Sequence, residues 1–328
     1  MPVDAPWTAT QAPAFASVSF GTWLDANTES SDVRAAFAGV ADLWGAEPRD
    51  VSLLFVLFYI AAAGNEQTPG SLARLLGVRD GAQELRFVGG SQILAQRMAS
   101  LLGDRVVLSS PVREISVTES GVLARTDRYA IEAQRIIVAV PPPLALGIHY
   151  EPELPTRRTQ LLRGLTMGSL MKAQAIYDRP FWRDADLSGQ SLIGDGLVRA
   201  TFDNTPPSGS PGVLFGFIGG DEARAWPLRP AEERLAAVLS NFASVVGDSA
   251  LNPIGYLEAD WPRDKWSRGC PVAYAPPGVL PEYGDTIREP VGPIHWAGTE
   301  TATFWNGYME GAVHSGERAA SKVLGALV

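Results

Sequence analysis

Residues 295–324 read HWAGTETATFWNGYMEGAVHSGERAASKVL, a stretch that concentrates hydroxyl, aromatic and glycine residues ahead of a helical tail. The apolar run 294–297 predicts a buried strand, and Gly298 a sharp exit from it. Thr299, Thr301 and Thr303 then offer hydroxyls and backbone amides to a polar ligand. Gly307 and Gly311 flank Tyr308 and would let a flat ligand approach the backbone closely. A helix beginning at Ala312 would present its positive N-terminal end to that ligand and stabilise negative charge there. These residue types suit a planar, electron-accepting ring with Tyr308 facing it. They equally describe a strand, loop and helix that merely close a core, and the residues alone leave both readings open.

Two other side chains invite the same double reading. Lys172 interrupts an otherwise apolar strand-like run, where a lysine ordinarily lays its stem along the surface and keeps its ammonium in water. Cys270 is the only cysteine, so no internal disulfide can form; a lone thiol fits a reducing, cytoplasmic setting and is ordinarily a small buried hydrophobe. The three histidines, His149, His295 and His314, are scattered and predict no metal site.

The elements that must position these groups follow from composition and pattern. With 328 residues, 46% of them hydrophobic, and a mean hydropathy near zero, the chain can build about two domains with substantial cores. A net charge of -9 argues against nucleic-acid and anionic-membrane partners, both of which reward a basic surface. The apolar run 51–64 is too short to span a bilayer and reads as a buried helix; neither a secretory leader nor a membrane anchor is expected. Helices are predicted over 32–44, 50–63 and 230–246, and over 91–103 with Ser91 as N-cap and Ile93, Leu94, Met98, Leu101 and Leu102 at helical spacing. Short β-branched runs predict strands over 106–140 and 168–218. The mixture implies an α/β or α+β fold whose domains interleave in sequence.

The C-terminal segment resembles the flavin-binding signature of flavin-dependent monoamine oxidases. The resemblance extends in order through DAPW at 4–7, FVGGSQ at 87–92, SSPVREI at 109–115, VAVPP at 138–142, MGSLMKAQAIYDRPFWR at 167–183, WSRGC at 266–270 and PPGVL at 276–280, and so covers nearly the whole chain. It implies an FAD-dependent amine oxidase fold in which substrate-domain segments (1–86 and 146–284) alternate with FAD-domain segments (87–145 and 285–328). By the same resemblance Val112 contacts the adenine end of FAD through its backbone. Gly298, Thr299, Tyr308 and Met309 lie around the flavin ring, and Trp261 packs close to it. Lys172 holds a water near the flavin N5, Leu76 and Gln83 line the substrate cavity, and Cys270 occupies the position at which the family links flavin through a thioether. For Leu76 and Trp261 a purely structural core role competes. Asp42 falls near the substrate cavity by spacing and could anchor the distal ammonium of a diamine, although a solvated helix charge is the plainer reading.

The implied reaction is oxidation of a primary or secondary amine to an imine that hydrolyses to an aldehyde, with dioxygen reduced to hydrogen peroxide. Two departures from the family pattern qualify it. Pro271 stands where the family carries an aromatic residue that pairs with the Tyr308 equivalent across the substrate amine. No G-x-G-x-x-G occurs in the sequence, so the N-terminal nucleotide-binding unit that cradles the FAD pyrophosphate is expected to be missing. The expected partners are therefore an amine, dioxygen, and a separate N-terminal FAD-binding chain or a second copy. The alternative is an inactive, truncated oxidase fragment that serves as a binding or assembly module.

Overall fold

A computed structural model describes residues 1–41, 43–192 and 196–327. Asp42 lies outside the described residues. The chain folds into two compact units interleaved in sequence: Met1–Ala16, Leu54–Leu165 and Gly278–Val328 form the first, Ser17–Leu53 and Thr166–Pro277 the second.

In the first unit, strands Ala130–Ala133, Gly121–Thr126 and Val112–Thr118 form an antiparallel meander, and His149–Glu151 adds to Val112–Thr118 in parallel. Strand Ile294–Trp296 pairs in parallel with Ile136–Val138. Ile115, Val122, Val138, Tyr150, Leu162, Ile294 and Trp296 are all buried in one cluster, which is why these β-branched and aromatic runs fold as strands. The expected strand at 294–297 is thus present and buried, and Gly298 leaves it at φ +112, a conformation that favours glycine. The closing helix runs Met309–Gly325, so it begins three residues before Ala312, with Tyr308 as its N-cap.

One expectation in this unit is corrected. Helix Gln92–Leu102 is present, but the Ser91 side chain makes no cap hydrogen bond, because its backbone is already helical instead of extended. Nor does that helix bury its apolar stripe: none of its residues is buried, and Leu101 is 87% exposed.

The second unit is built on a five-stranded antiparallel sheet in the order Gly255–Asp260, Leu170–Tyr177, Gly212–Gly219, Ala200–Asp203, Ser191–Leu192. Met171, Ala173, Ala175, Leu214 and Ile218 face one side, where helix Ala231–Val246 contributes Val238, Leu239, Phe242 and Val246 to a buried core. Gly216 permits that contact, since a Cβ there would stand 2.5 Å from Val198 Cγ1 and 2.9 Å from Phe242 Cε1. Strict alternation leaves Lys172, Gln174 and Ile176 on the opposite face of Leu170–Tyr177. Among the described residues no helix is long and apolar enough to cross a membrane, and no cluster of His, Cys, Asp or Glu could hold a metal.

Candidate functional site

In the first unit the structure brings Gly298, Thr299, Tyr308 and Met309 together where a buried strand hands over to a long helix. Two arginines secure the handover. Arg318 donates to the Trp296 carbonyl at 3.0 Å and to Thr301 Oγ1 at 2.9 Å, and Arg288 donates to the carbonyls of Thr301 at 2.6 Å and Ala302 at 3.2 Å. Burial first, and then the charge of Arg318, pull Arg288 down to about 10, which still leaves it cationic at neutral pH. Guanidinium groups spent on backbone carbonyls make this turn a rigid platform.

On that platform the threonines do not behave as the pattern suggested. Thr299 Oγ1 donates to the Tyr308 carbonyl at 2.9 Å and Thr301 Oγ1 to the Gly298 carbonyl at 2.8 Å, so both hydroxyls brace the loop instead of reaching toward a ligand. The glycines beside Tyr308 are corrected in the same way. A Cβ on Gly311 would lie 2.2 Å from the Trp305 carbonyl oxygen, and one on Gly307 2.5 Å from the Tyr59 hydroxyl. Their missing side chains make room for the protein's own atoms. Gly298 differs: nothing lies within 3.6 Å of a Cβ built there, so this glycine leaves its backbone open.

Tyr308 is half-buried, with Trp305 edge-on at 5.3 Å and Tyr59 tilted at 6.2 Å between ring centroids. Burial pushes Tyr308 up to about 12, with the hydrogen bond shared with Tyr59 acting in the opposite direction. Burial, then the neighbouring Tyr308 and Glu300, hold Tyr59 well above the ordinary phenol range. Both rings are therefore neutral, uncharged walls at physiological pH. Tyr59 was not singled out in the sequence because it lies in the apolar helical run 51–64 and looks like core.

The remaining candidates of this unit lie elsewhere in it. Leu76 ends the short helix Leu72–Leu76 and is half-buried, so it is not a core residue. Gln83 is exposed, and its Nε2 donates to the Leu75 carbonyl at 3.3 Å. Val112 opens the first strand of the four-stranded sheet, at a register irregularity, and pairs with Thr126.

In the second unit Lys172 sits on a central strand, between Phe217 and Ala259, and not at a sheet edge. Its Nζ lies 5.8 Å from the centroid of Phe217, whose ring packs against Phe215 at 4.7 Å and Phe202 at 5.8 Å. Lys172 thus stands beside a cluster of three phenylalanine rings on this face of the sheet. Cys270 is a free, half-buried thiol close enough to feel that cation: burial pushes its pKa up, and the Lys172 charge works against the rise. The Cys270 backbone is gripped through its amide, which donates to the Gly168 carbonyl at 2.9 Å. Its carbonyl lies where a Cβ on Gly45 or Gly168 would come within 2.6 or 2.5 Å. Trp261 starts the short turn after strand Gly255–Asp260 and is 38% exposed, which removes it from the core.

These features fit a flavin in the parts that carry ring contacts. Gly298 offers an open backbone beside a fixed turn, and the N-terminal turn of the 17-residue helix Met309–Gly325 has no side-chain cap, leaving its amides and dipole for negative charge. Met309, 45% exposed, stands at that turn. No G-x-G-x-x-G loop for a pyrophosphate occurs in the sequence, so the fit concerns the ring end of such a cofactor alone.

Comparison with known proteins gives the class, a flavin-containing amine oxidoreductase. The family model of flavin containing amine oxidoreductases matches residues 17–324, and the chain belongs to that family. FAD is the cofactor, and amine oxidation the reaction class, of this family. AofH of Mycobacterium tuberculosis, which carries the name flavin-containing monoamine oxidase, is 44% identical over 326 residues, covering 98% of this chain and 69% of AofH. Amine oxidase [flavin-containing] B of Sus scrofa is 40% identical over 334 residues, and there the match spans 100% of this chain and 63% of the relative. Among solved structures, cyclohexylamine oxidase from Brevibacterium oxydans superposes with a TM-score of 0.94 at 37% identity, covering 99% of this chain and 71% of that one.

Proposed function

We propose that this chain carries the substrate-facing and flavin-ring-facing parts of an enzyme that oxidises a primary or secondary amine to an imine and thence an aldehyde. The single observation that carries the reading is the placement of Lys172, a cation on a central strand beside phenylalanines and within electrostatic reach of Cys270. FAD, when bound, supplies the two-electron acceptor for the amine and passes those electrons to dioxygen to give hydrogen peroxide.

The chain's own residues orient, shield and hold water. Lys172 holds a water by its ammonium, and Phe202, Phe215 and Phe217 keep bulk solvent off the same face. Gly298 and Met309 meet the ring, Thr299 fixes the backbone of Tyr308, and Tyr308 offers a neutral aromatic wall to an uncharged amine. Val112 and Trp261 complete the cofactor contacts, Leu76 and Gln83 the substrate cavity, and Cys270 is the point of covalent attachment. Segments 1–86 and 146–284 are assigned to substrate, 87–145 and 285–328 to FAD. The lone cysteine supports a cytoplasmic setting.

A second feature shapes the proposal. The absent glycine loop and the helix Gln92–Leu102, none of whose residues is fully buried, support a reading in which FAD binds tightly only when a further FAD-binding segment is supplied. Names borne by relatives, among them cyclohexylamine oxidase and a putrescine oxidase solved with putrescine, make alkyl mono- and diamines the first substrates to try. Peroxide release from a panel of such amines, with aldehyde measured in parallel, tests the reading. Peroxide and aldehyde in equal amounts are expected; flavin-loaded protein that yields neither would refute it.

A further inference from the structure

Tyr59 is buried at 3% exposure on helix Leu53–Ala62, and the reaction outlined above makes no use of it. Its ring alone does not explain its identity. Phe55 and Phe58 on the same helix serve the core without a hydroxyl, and Phe55 packs against Tyr59 at 5.8 Å. The hydroxyl has a specific partner: it shares a hydrogen bond with the phenolic oxygen of Tyr308, whose ring lies tilted at 6.2 Å between centroids. The fold makes room for it, since Gly307, at φ +83, would with any Cβ place an atom 2.5 Å from that hydroxyl.

Tyr308 is thereby held at three points. Tyr59 grips its oxygen, Thr299 its carbonyl at 2.9 Å, and Trp305 the side of its ring. Trp305 is itself locked, with a left-handed backbone at φ +53, an amide that donates to the Ala62 carbonyl at 2.8 Å, and the Arg74 guanidinium 5.7 Å over its ring. A strained non-glycine residue persists only where its surroundings over-determine it. Because Ala62 belongs to the helix that carries Tyr59, one helix end fixes both neighbours of Tyr308.

We propose that Tyr59 is a positioning residue for Tyr308: through the hydrogen bond between the two hydroxyls it sets the tilt of the Tyr308 ring and the place of its phenolic oxygen. The inference rests on the amine-oxidase reading for its consequence in turnover, but not for the bond itself. Its effect on rate acts only through Tyr308.

The test uses the full chain in two arms. In the first, without flavin, tyrosine labelled with carbon-13 at Cζ is read by NMR, with the Tyr308 signal assigned by its loss in Tyr308→Phe. In Tyr59→Phe the Tyr308 signal should shift at neutral pH and its titration should begin at higher pH, because the hydrogen bond that opposes its upward shift is gone. Difluorotyrosine placed at position 59, which keeps the ring and changes the acidity of its hydroxyl, should also move the Tyr308 signal at neutral pH and serves where Tyr59→Phe does not fold. A Tyr308 signal and titration unchanged by either replacement would overturn the proposal. In the second arm, with flavin-loaded protein, Tyr59→Phe should lower kcat for an amine about five- to tenfold with a smaller change in KM, the size expected for one lost hydrogen bond. If the NMR shift appears while no amine is oxidised even by the parent, the amine-oxidase reading fails and the Tyr59–Tyr308 bond stands. If kcat in Tyr59→Phe equals that of the parent, Tyr59 is a core residue and the positioning role is wrong.

Discussion

Gly311 and Gly316 both lie inside helix Met309–Gly325, yet alanine should have opposite effects at the two positions. At Gly316 no atom lies within 4 Å of a built Cβ. The substitution there should stabilise by up to about 1 kcal/mol, the usual gain when alanine replaces glycine in a helix interior. At Gly311 the same gain is opposed by a Cβ lying 2.2 Å from the Trp305 carbonyl oxygen, 2.8 Å from its carbon and 3.0 Å from Ala302 Cβ. These are mainly backbone atoms, and they cannot step aside as a flexible side chain would. Overpacking of this kind costs about 1–3 kcal/mol. Helix propensity is common to both variants and cancels between them, so Gly311→Ala should be about 1–3 kcal/mol less stable than Gly316→Ala. Urea unfolding of the two variants beside the parent, compared at equal slope, gives that difference directly. The Trp305 carbonyl also accepts the Tyr308 amide at 3.0 Å, so Gly311→Ala should disturb the aromatic site as well as the helix. A Gly311→Ala midpoint equal to or above that of Gly316→Ala would refute the packing argument.

Other outcomes follow from the second unit. Lys172→Met in flavin-loaded protein should slow the oxygen half of turnover in stopped-flow experiments and leave anaerobic reduction by amine near the parent rate; equal oxygen rates would remove Lys172 from the site. In the same variant, with or without flavin, Cys270 should become reactive toward iodoacetamide only at higher pH, because the charge that opposes its upward shift has been deleted. Acid precipitation of flavin-containing protein should leave the colour in the pellet, and Cys270→Ser should release it to the supernatant; release from the parent would return Cys270 to a small packing residue.

Much of this was legible in the residues because period and burial agree. The run 294–297 reads as a buried strand, and Ile294–Trp296 is one; Lys172 reads as a polar interruption of an apolar strand, and alternation puts it opposite Met171 and Ala173. What the sequence concealed depends on atoms brought from far along the chain. Glycines beside an aromatic suggest an open approach for a ligand, but Gly307 and Gly311 are filled by Tyr59 and Trp305, and only Gly298 stays open. Threonine hydroxyls look available until the carbonyls of Gly298 and Tyr308 are seen to take them. Ser91 has the right type for a cap, but type does not set φ and ψ, and its backbone is helical. Tyr59 was hidden by its apolar neighbours, since nothing in 51–64 distinguishes a working hydroxyl from another buried ring.

The central claim is that this chain presents an amine to a flavin ring, and anaerobic reduction tests it most directly. Flavin-loaded protein, prepared if necessary with an added FAD-binding segment, is mixed without oxygen with an alkyl mono- or diamine while the visible flavin band is followed. The band should bleach in one kinetic phase whose rate saturates with amine concentration, and admitting oxygen should restore it with one peroxide released per flavin. A band that every amine leaves unchanged, in protein whose flavin dithionite still reduces, would contradict the account.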